Sequence, residues 1–140
     1  MDENKIVKVG VGVVILNPQK QILLGLRKSA HGNGTWCPPG GHLEYAESFE
    51  KTAVRETMEE TGIALDEKNA KVLGVTNDFF EESGKHYITV VMGIDNCQQQ
   101  PTLMEPDKCE RWQWFELDKL PDNMFLPMVN FLKKYPIKTC

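Results

Sequence analysis

The chain has no long apolar run: no stretch approaches the roughly 20 consecutive apolar residues that a helix needs to cross a bilayer, which excludes a membrane-spanning helix by pattern. Its first residues, Met1-Asp2-Glu3-Asn4-Lys5, lack the basic region and apolar core of a secretory leader, so cytoplasmic residence is expected. Cysteine is sparse. Cys37, Cys97, Cys109 and Cys140 lie far apart without metal-type pairing, which predicts reduced thiols rather than disulfides or a zinc site. Positive charge is in the minority, with 16 Lys and Arg against 20 Asp and Glu and a net charge of −4. No basic run interleaved with aromatics occurs, which argues against a polymeric nucleic-acid partner. Neither an internal repeat nor a low-complexity linker interrupts the 140 residues, and a 41% hydrophobic content suffices for one core. One domain over residues 1–140, with an ordered core over about 6–135, is the expectation.

What the chain does have is acid in one place. Between Gly41 and Ile63 stand six carboxylates, those of Glu44, Glu47, Glu50, Glu56, Glu59 and Glu60. The segment Ser48 to Thr61 has no Gly or Pro, is rich in good helix formers, and stops at Gly62, a residue suited to a left-handed cap. It reads as one helix. At about 100° per residue, Phe49, Ala53, Glu56 and Glu60 share a narrow stripe, with Glu59 on its flank and Val54 and Met58 opposite. Apolar residues on both faces predict cover on both sides. Glu56 and Glu60 would then be half-buried, where a carboxylate costs several kcal/mol unless it is paired or binds a metal. Arg55 alone cannot neutralise three carboxylates; a hard divalent cation can.

Just upstream, Trp36-Cys37-Pro38-Pro39-Gly40-Gly41 combines two prolines that fix the approach with two glycines that permit close contact. It reads as a turn able to offer carbonyls to a cation. Val7 to Leu16 and Gln21 to Leu26, around Asn17-Pro18-Gln19-Lys20, read as a strand pair, as do Val72 to Phe80 and His86 to Ile94 around Glu81 to Lys85. Glu110 to Phe115 reads as a further strand and Pro127 to Tyr135 as a closing helix. The simplest architecture is α/β, a mixed sheet between helices. Trp112 and Trp114 share one strand face, either as core or as a ligand platform.

As a pattern the acidic stretch is Gly41, five residues, Glu47, seven residues, then Arg55-Glu56-Thr57-Met58-Glu59-Glu60-Thr61-Gly62-Ile63. It resembles the signature of the Nudix hydrolases, with Thr57 where a bulky aliphatic residue is usual and Pro38 where a Leu is frequent. Leu23-Leu24-Gly25-Leu26-Arg27, Gly40-Gly41-His42-Leu43-Glu44 and Met104 to Trp114 extend the likeness. They resemble the MutT-type nucleotide triphosphate diphosphatases, above all those acting on oxidised or modified purine nucleotides.

The resemblance implies a Nudix-type α/β/α sandwich with a mixed β-sheet. It implies Mg²⁺, or Mn²⁺, held by Glu56 and Glu60 with Glu59 and the Gly40 carbonyl. Arg55 would orient the glutamates, so that Arg55, Glu56 and Glu59 form the catalytic set. The general base stays open among Glu56, Glu105 and Glu110. Arg27 is either a phosphate clamp or a surface arginine, and His42 either positions phosphate or metal or is structural. Gly41, Phe125 and Leu126 complete the implied substrate contacts, Leu126 standing where a tryptophan is common. The implied reaction takes a purine (d)NTP such as 8-oxo-dGTP to the monophosphate and pyrophosphate. Alternatives are a dihydroneopterin triphosphate or prenyl diphosphate substrate, or a non-catalytic nucleotide-binding module. A homodimer is expected from the resemblance alone.

Overall fold

The computed structural model describes residues 5–135 and 137. Met1 to Asn4 and Cys140, which enter the expectations on a leader and on thiols, lie outside the described residues. The strands are β1 (Val7–Ile15), β2 (Gln21–Arg27), β3 (Trp36–Cys37), β4 (Gly40–His42), β5 (Lys71–Phe80), β6 (Lys85–Ile94) and β7 (Cys109–Glu116). The helices are α1 (Phe49–Thr61), between β4 and β5, and α2 (Leu126–Lys134). No described helix is long and apolar enough to cross a membrane.

The strands form two sheets, a mixed one in the order β4-β1-β6-β5 and an antiparallel one in the order β3-β2-β7. The expected pairing of β5 with β6 is present, closed by a turn at Gly84 (φ 71°). The expected pairing of β1 with β2 is not. A single bridge, Leu16 to Ile22, joins them, and β1 lies parallel to β6 from Val7↔His86 to Ile15↔Ile94. The link between them is a tight Asn turn. The Asn17 Oδ1 accepts from the Gln21 N–H at 2.8 Å, and Lys20 takes a left-handed conformation at φ 62°. Val13 to Leu16 and Ile22 to Leu24 are consecutive buried residues. Such runs belong to strands covered on both faces, so each finds its own partners in its own sheet.

Period-two alternation then sorts the core. Val11, Val13 and Ile15 of β1 pack with Ala53 of α1 and with Ile63, while Val14 and Leu16 pack with Met128 and Phe131 of α2. The helices thus lie on opposite faces of the strands, which is the expected α/β/α layering. The segment read as a Pro-Gly turn is two short strands. Pro38 and Pro39 offer no N–H to a ladder, and at this break the chain passes from β3, paired with β2, to β4, paired with β1.

Helix α1 begins where Ser48 Oγ accepts from the Lys51 N–H at 3.1 Å. It ends at Gly62 (φ 72°), whose N–H donates to the Met58 carbonyl. It is covered on one side only, against expectation. Phe49 and Met58 are exposed, because the sheet meets a single face of the helix. That face carries Thr52, Ala53, Thr57 and Thr61, all fully buried. Its threonines conceal it from a pattern search for aliphatic residues.

Candidate active site

A cleft of about 440 Å³ opens between the two sheets, with α1 at one end and the α2 start at the other. The first end is built by close approach. A side chain at Gly41 would overlap the Glu56 carboxylate, and one at Gly40 would overlap the Val11 carbonyl. The two glycines therefore allow the β4 backbone to lie directly against the glutamates. The Gly40 N–H donates to Glu60 Oε1 at 3.1 Å.

Arg55 ties the glutamates together. Its Nε and Nη2 donate to the two oxygens of Glu47 at 2.7 and 2.9 Å, and its Nη1 donates to Glu56 Oε1 at 2.8 Å. Glu59, half-exposed, lies 3.5 Å from the same guanidinium. This fork holds the Glu47 carboxyl down to about 2, with the Thr52 hydroxyl adding to the effect. The same contacts push the Arg55 guanidinium above its ordinary range, the bonds it donates to Glu47 first. Glu56 is shifted the other way, upward, because burial outweighs the contact with Arg55. Burial also pushes Glu60 up to about 8, against the Gly40 N–H and with further repulsion from Glu56 and Glu105.

Two carboxylates that resist ionisation side by side form a donor set short of positive charge. Oxygen donors on one helix face suit a hard divalent cation, which keeps several waters and shares its remaining positions with phosphate oxygens. Among the described residues no three His, Cys, Asp or Glu side chains converge into a ready-made cage. An ion that binds together with phosphate does not need one, so the residues fit.

The far end is lined by rings. His31 stands 4.4 Å from Phe80, 5.9 Å from Tyr87 and 5.4 Å from Phe125, centroid to centroid. Burial, then the charges of Lys85 and Arg27, lowers His31 to about 4, so this imidazole is neutral at pH 7. His42 stacks on Tyr87 and shares a 3.0 Å hydrogen bond with its hydroxyl. Burial, followed by Lys8 and Lys85, lowers its pKa as well. Between the two ends, Trp112 packs over Gly25, and its Nε1 donates to the Glu60 carbonyl at 3.2 Å. Both tryptophans pack against the core, and Trp112 also faces the cleft.

Of the residues singled out from sequence, Gly40, Gly41, His42, Glu56, Glu60, Arg27, Glu105 and Phe125 line this one cleft. Three do not. Glu59 sits on the outer flank of α1. Glu110 is exposed and ion-paired with Arg111 at 3.2 Å. Leu126, the first residue of α2, is turned away from the lining that Phe125 and Pro127 reach. Arg27 is not a free surface arginine, since its guanidinium bonds within the 28–35 loop and lies 4.3 Å above the Phe125 ring. Sequence reasoning missed His31, Phe80 and Tyr87. One signal was present, the aromatic pairs Phe79-Phe80 and His86-Tyr87 flanking the turn of the β5–β6 hairpin.

Comparison with known proteins bears on this cleft. The NUDIX domain family matches residues 7–135. The mouse oxidized purine nucleoside triphosphate hydrolase is 31% identical over 130 residues, which covers 88% of this chain and 80% of the mouse protein. The m7GpppN-mRNA hydrolase NUDT17 of Xenopus laevis is 34% identical over 116 residues, but this chain spans only 39% of its length. The crystal structure of a MutT NUDIX hydrolase from Burkholderia pseudomallei superposes with a TM-score of 0.82 at 32% identity, covering 93% of this chain and 99% of that one.

Proposed function

We propose a reaction from one premise: this chain belongs to the Nudix family and is a hydrolase. The reaction is metal-dependent hydrolysis of nucleoside triphosphates to the monophosphate and pyrophosphate, with oxidised or modified purine (d)NTPs such as 8-oxo-dGTP as substrates. The observation that carries this reading is the polarity of the cleft. Carboxylates short of positive charge stand at one end and a cluster of four rings, His31, Phe80, Tyr87 and Phe125, at the other, as a ligand with a polyphosphate at one end and a planar base at the other requires. The relative acting on oxidised purine nucleotides supports the base class.

In this mechanism Glu56 and Glu60, with the Gly40 carbonyl, would hold Mg²⁺ or Mn²⁺, and Glu59 would reach the ion by swinging in from the outer flank of α1. When bound, such an ion supplies charge to the phosphate oxygens and makes a nucleophile of water near neutral pH. Arg55 keeps Glu56 in one orientation through the fork shared with Glu47. The attacking water adds to the α-phosphorus, the bond to the bridging oxygen breaks, and pyrophosphate leaves. The water proton goes to Glu56 or Glu105, the two candidate bases that line the cleft. Gly41 and His42 lie along the phosphate path, and the perpendicular rings of Phe125 and His31 would flank the base, one by its face and the other by its edge. A prenyl diphosphate would give those rings no planar partner, whereas a dihydroneopterin triphosphate would. Cytoplasmic residence suits a nucleotide-pool enzyme, and a homodimer rests on family resemblance alone.

Pyrophosphate release measured across a panel of purine, pyrimidine and pterin triphosphates with Mg²⁺ tests the reading, with Glu60→Gln alongside. Fastest turnover is expected for modified purines, and the variant should lose about 10²-fold or more in kcat. A wild type that turns over none of the panel sinks the substrate class. A variant as active as the wild type sinks the metal assignment.

A further inference from the structure

Arg27 closes β2, next to the cleft, yet most of its donors are engaged within the protein. Its Nε donates to the His31 carbonyl at 2.9 Å and its Nη2 to Ser29 Oγ at 3.0 Å, while that hydroxyl donates to the same carbonyl at 2.9 Å. Its Nη1 lies 3.7 Å from Cys37 Sγ. One face of the guanidinium covers the Phe125 ring at 4.3 Å. A planar fork with a cation–π face can make this set of contacts, and an ammonium cannot.

The loop it grips is shaped to accept the grip. Gly32 has φ 75°, and a side chain there would run into both the Phe125 ring and Arg27 Nε. The loop is tied back by Gly34 N–H to the Arg27 carbonyl at 2.9 Å and by Asn123 Nδ2 to the Gly34 carbonyl at 2.7 Å. His31 rides on this loop, and in this position its ring reaches those of Phe80, Tyr87 and Phe125.

We propose that Arg27 is a positioning residue for specificity: by clamping the 28–35 loop onto Phe125 it sets His31 as one wall of the slot that receives the planar end of the substrate. The identity of that planar end as a nucleobase rests on the function proposed above; the clamp itself does not. Arg27 in this role acts on ring recognition and leaves phosphate binding to the other end of the cleft.

The first test needs no substrate. In the wild type the His31 ring protons, assigned through His31→Gln, are expected to be displaced from free-imidazole positions by the currents of the neighbouring rings. Arg27→Ala and Arg27→Lys should both return them toward free-imidazole positions and speed amide exchange in residues 28–35 about ten-fold or more. Ser29→Ala, a milder change, should move both readouts the same way. The second test is kinetic. Both Arg27 variants should raise the KM for purine triphosphates and the inhibition constant of dGMP about ten-fold, with kcat and the inhibition constant of pyrophosphate held within about two-fold.

Unmoved His31 resonances in Arg27→Ala, or their restoration by lysine, overturn the proposal. So does a weakened pyrophosphate inhibition with dGMP unchanged, which would make Arg27 a phosphate clamp. Failure of the wild type to turn over any purine triphosphate sinks the proposed function instead, and the ring resonances still decide the clamp.

Discussion

The two ends of the cleft are made in opposite ways. The carboxylate end comes mainly from one continuous segment, β4 to α1, in which Gly40, Gly41, Glu47, Arg55, Glu56 and Glu60 meet through hydrogen bonds and close backbone approach, with Glu105 added from a later segment. The ring end comes from four separate places: the 28–35 loop, both strands of the β5–β6 hairpin, and the residue that precedes α2. Bond-breaking chemistry needs fixed charge at fixed spacing, which a helix supplies locally. Recognition of a planar group needs surfaces that face each other, and those come from parts of the chain remote in sequence.

The sharpest way to break this contrast is to disable each end in turn. Glu56→Gln should lower kcat by about 10³-fold with KM little changed, since it removes charge that acts on the transition state. Phe125→Ala should leave kcat nearly intact and raise KM about ten-fold, the scale of one lost base stack. Steady-state kinetics on the best triphosphate reads both. A Phe125 variant that loses kcat as deeply as the Glu56 variant would mean the two ends are one functional unit.

A second measurement sharpens the electrostatic half. Glu60 holds its proton up to about 8 in the folded chain against an ordinary 4.5, so the folded state binds the proton more tightly. Its contribution is therefore fully present below about 4.5 and is lost as pH rises through about 8. Metal-free protein should lose melting temperature across that window, and added Mg²⁺ should restore more of it at pH 8 than at pH 5. Glu60→Gln should flatten both trends in a thermal shift assay. An equal Mg²⁺ effect at both pH values would remove Glu60 from the account.

The smallest expected effect concerns the back of the same helix. Thr57 is fully buried, and its Oγ1 has no hydrogen-bond partner. Thr57→Val keeps the shape and removes the orphan hydroxyl, so it should stabilise by about 1 kcal/mol, or about 2–4 °C in Tm. Activity should not change. A destabilised variant would show that the hydroxyl has a partner in solution.

These differences also decide what could be read from the chain alone. Helix α1 was legible to within a residue because its caps, Ser48 and Gly62, are local signals. The β5–β6 hairpin was legible for the same reason. The separation of β1 from β2 was not, because a short link between two apolar runs looks like a hairpin whether or not the strands pair. Glu56 and Glu60 were found by helical spacing, whereas His31 carries no local mark and becomes visible only once the loop folds onto Phe125. Arg27 was seen but its contacts were not, since nothing in Leu26-Arg27-Lys28 tells whether a guanidinium faces phosphate or ring.

The parallel register of β1 on β6 also sets the order in which this molecule comes into being. That ladder joins residues roughly eighty positions apart, so it closes late and slowly compared with a hairpin or a helix. During refolding, α1 and the β5–β6 hairpin can flicker into shape on their own, but the helix lacks part of its sheet until β1 docks. Gly40 and Gly41 reach the glutamates through β4, whose partner is β1. Until that ladder closes the carboxylate end is incomplete, because the Gly40 N–H that meets Glu60 is carried by a strand paired with β1.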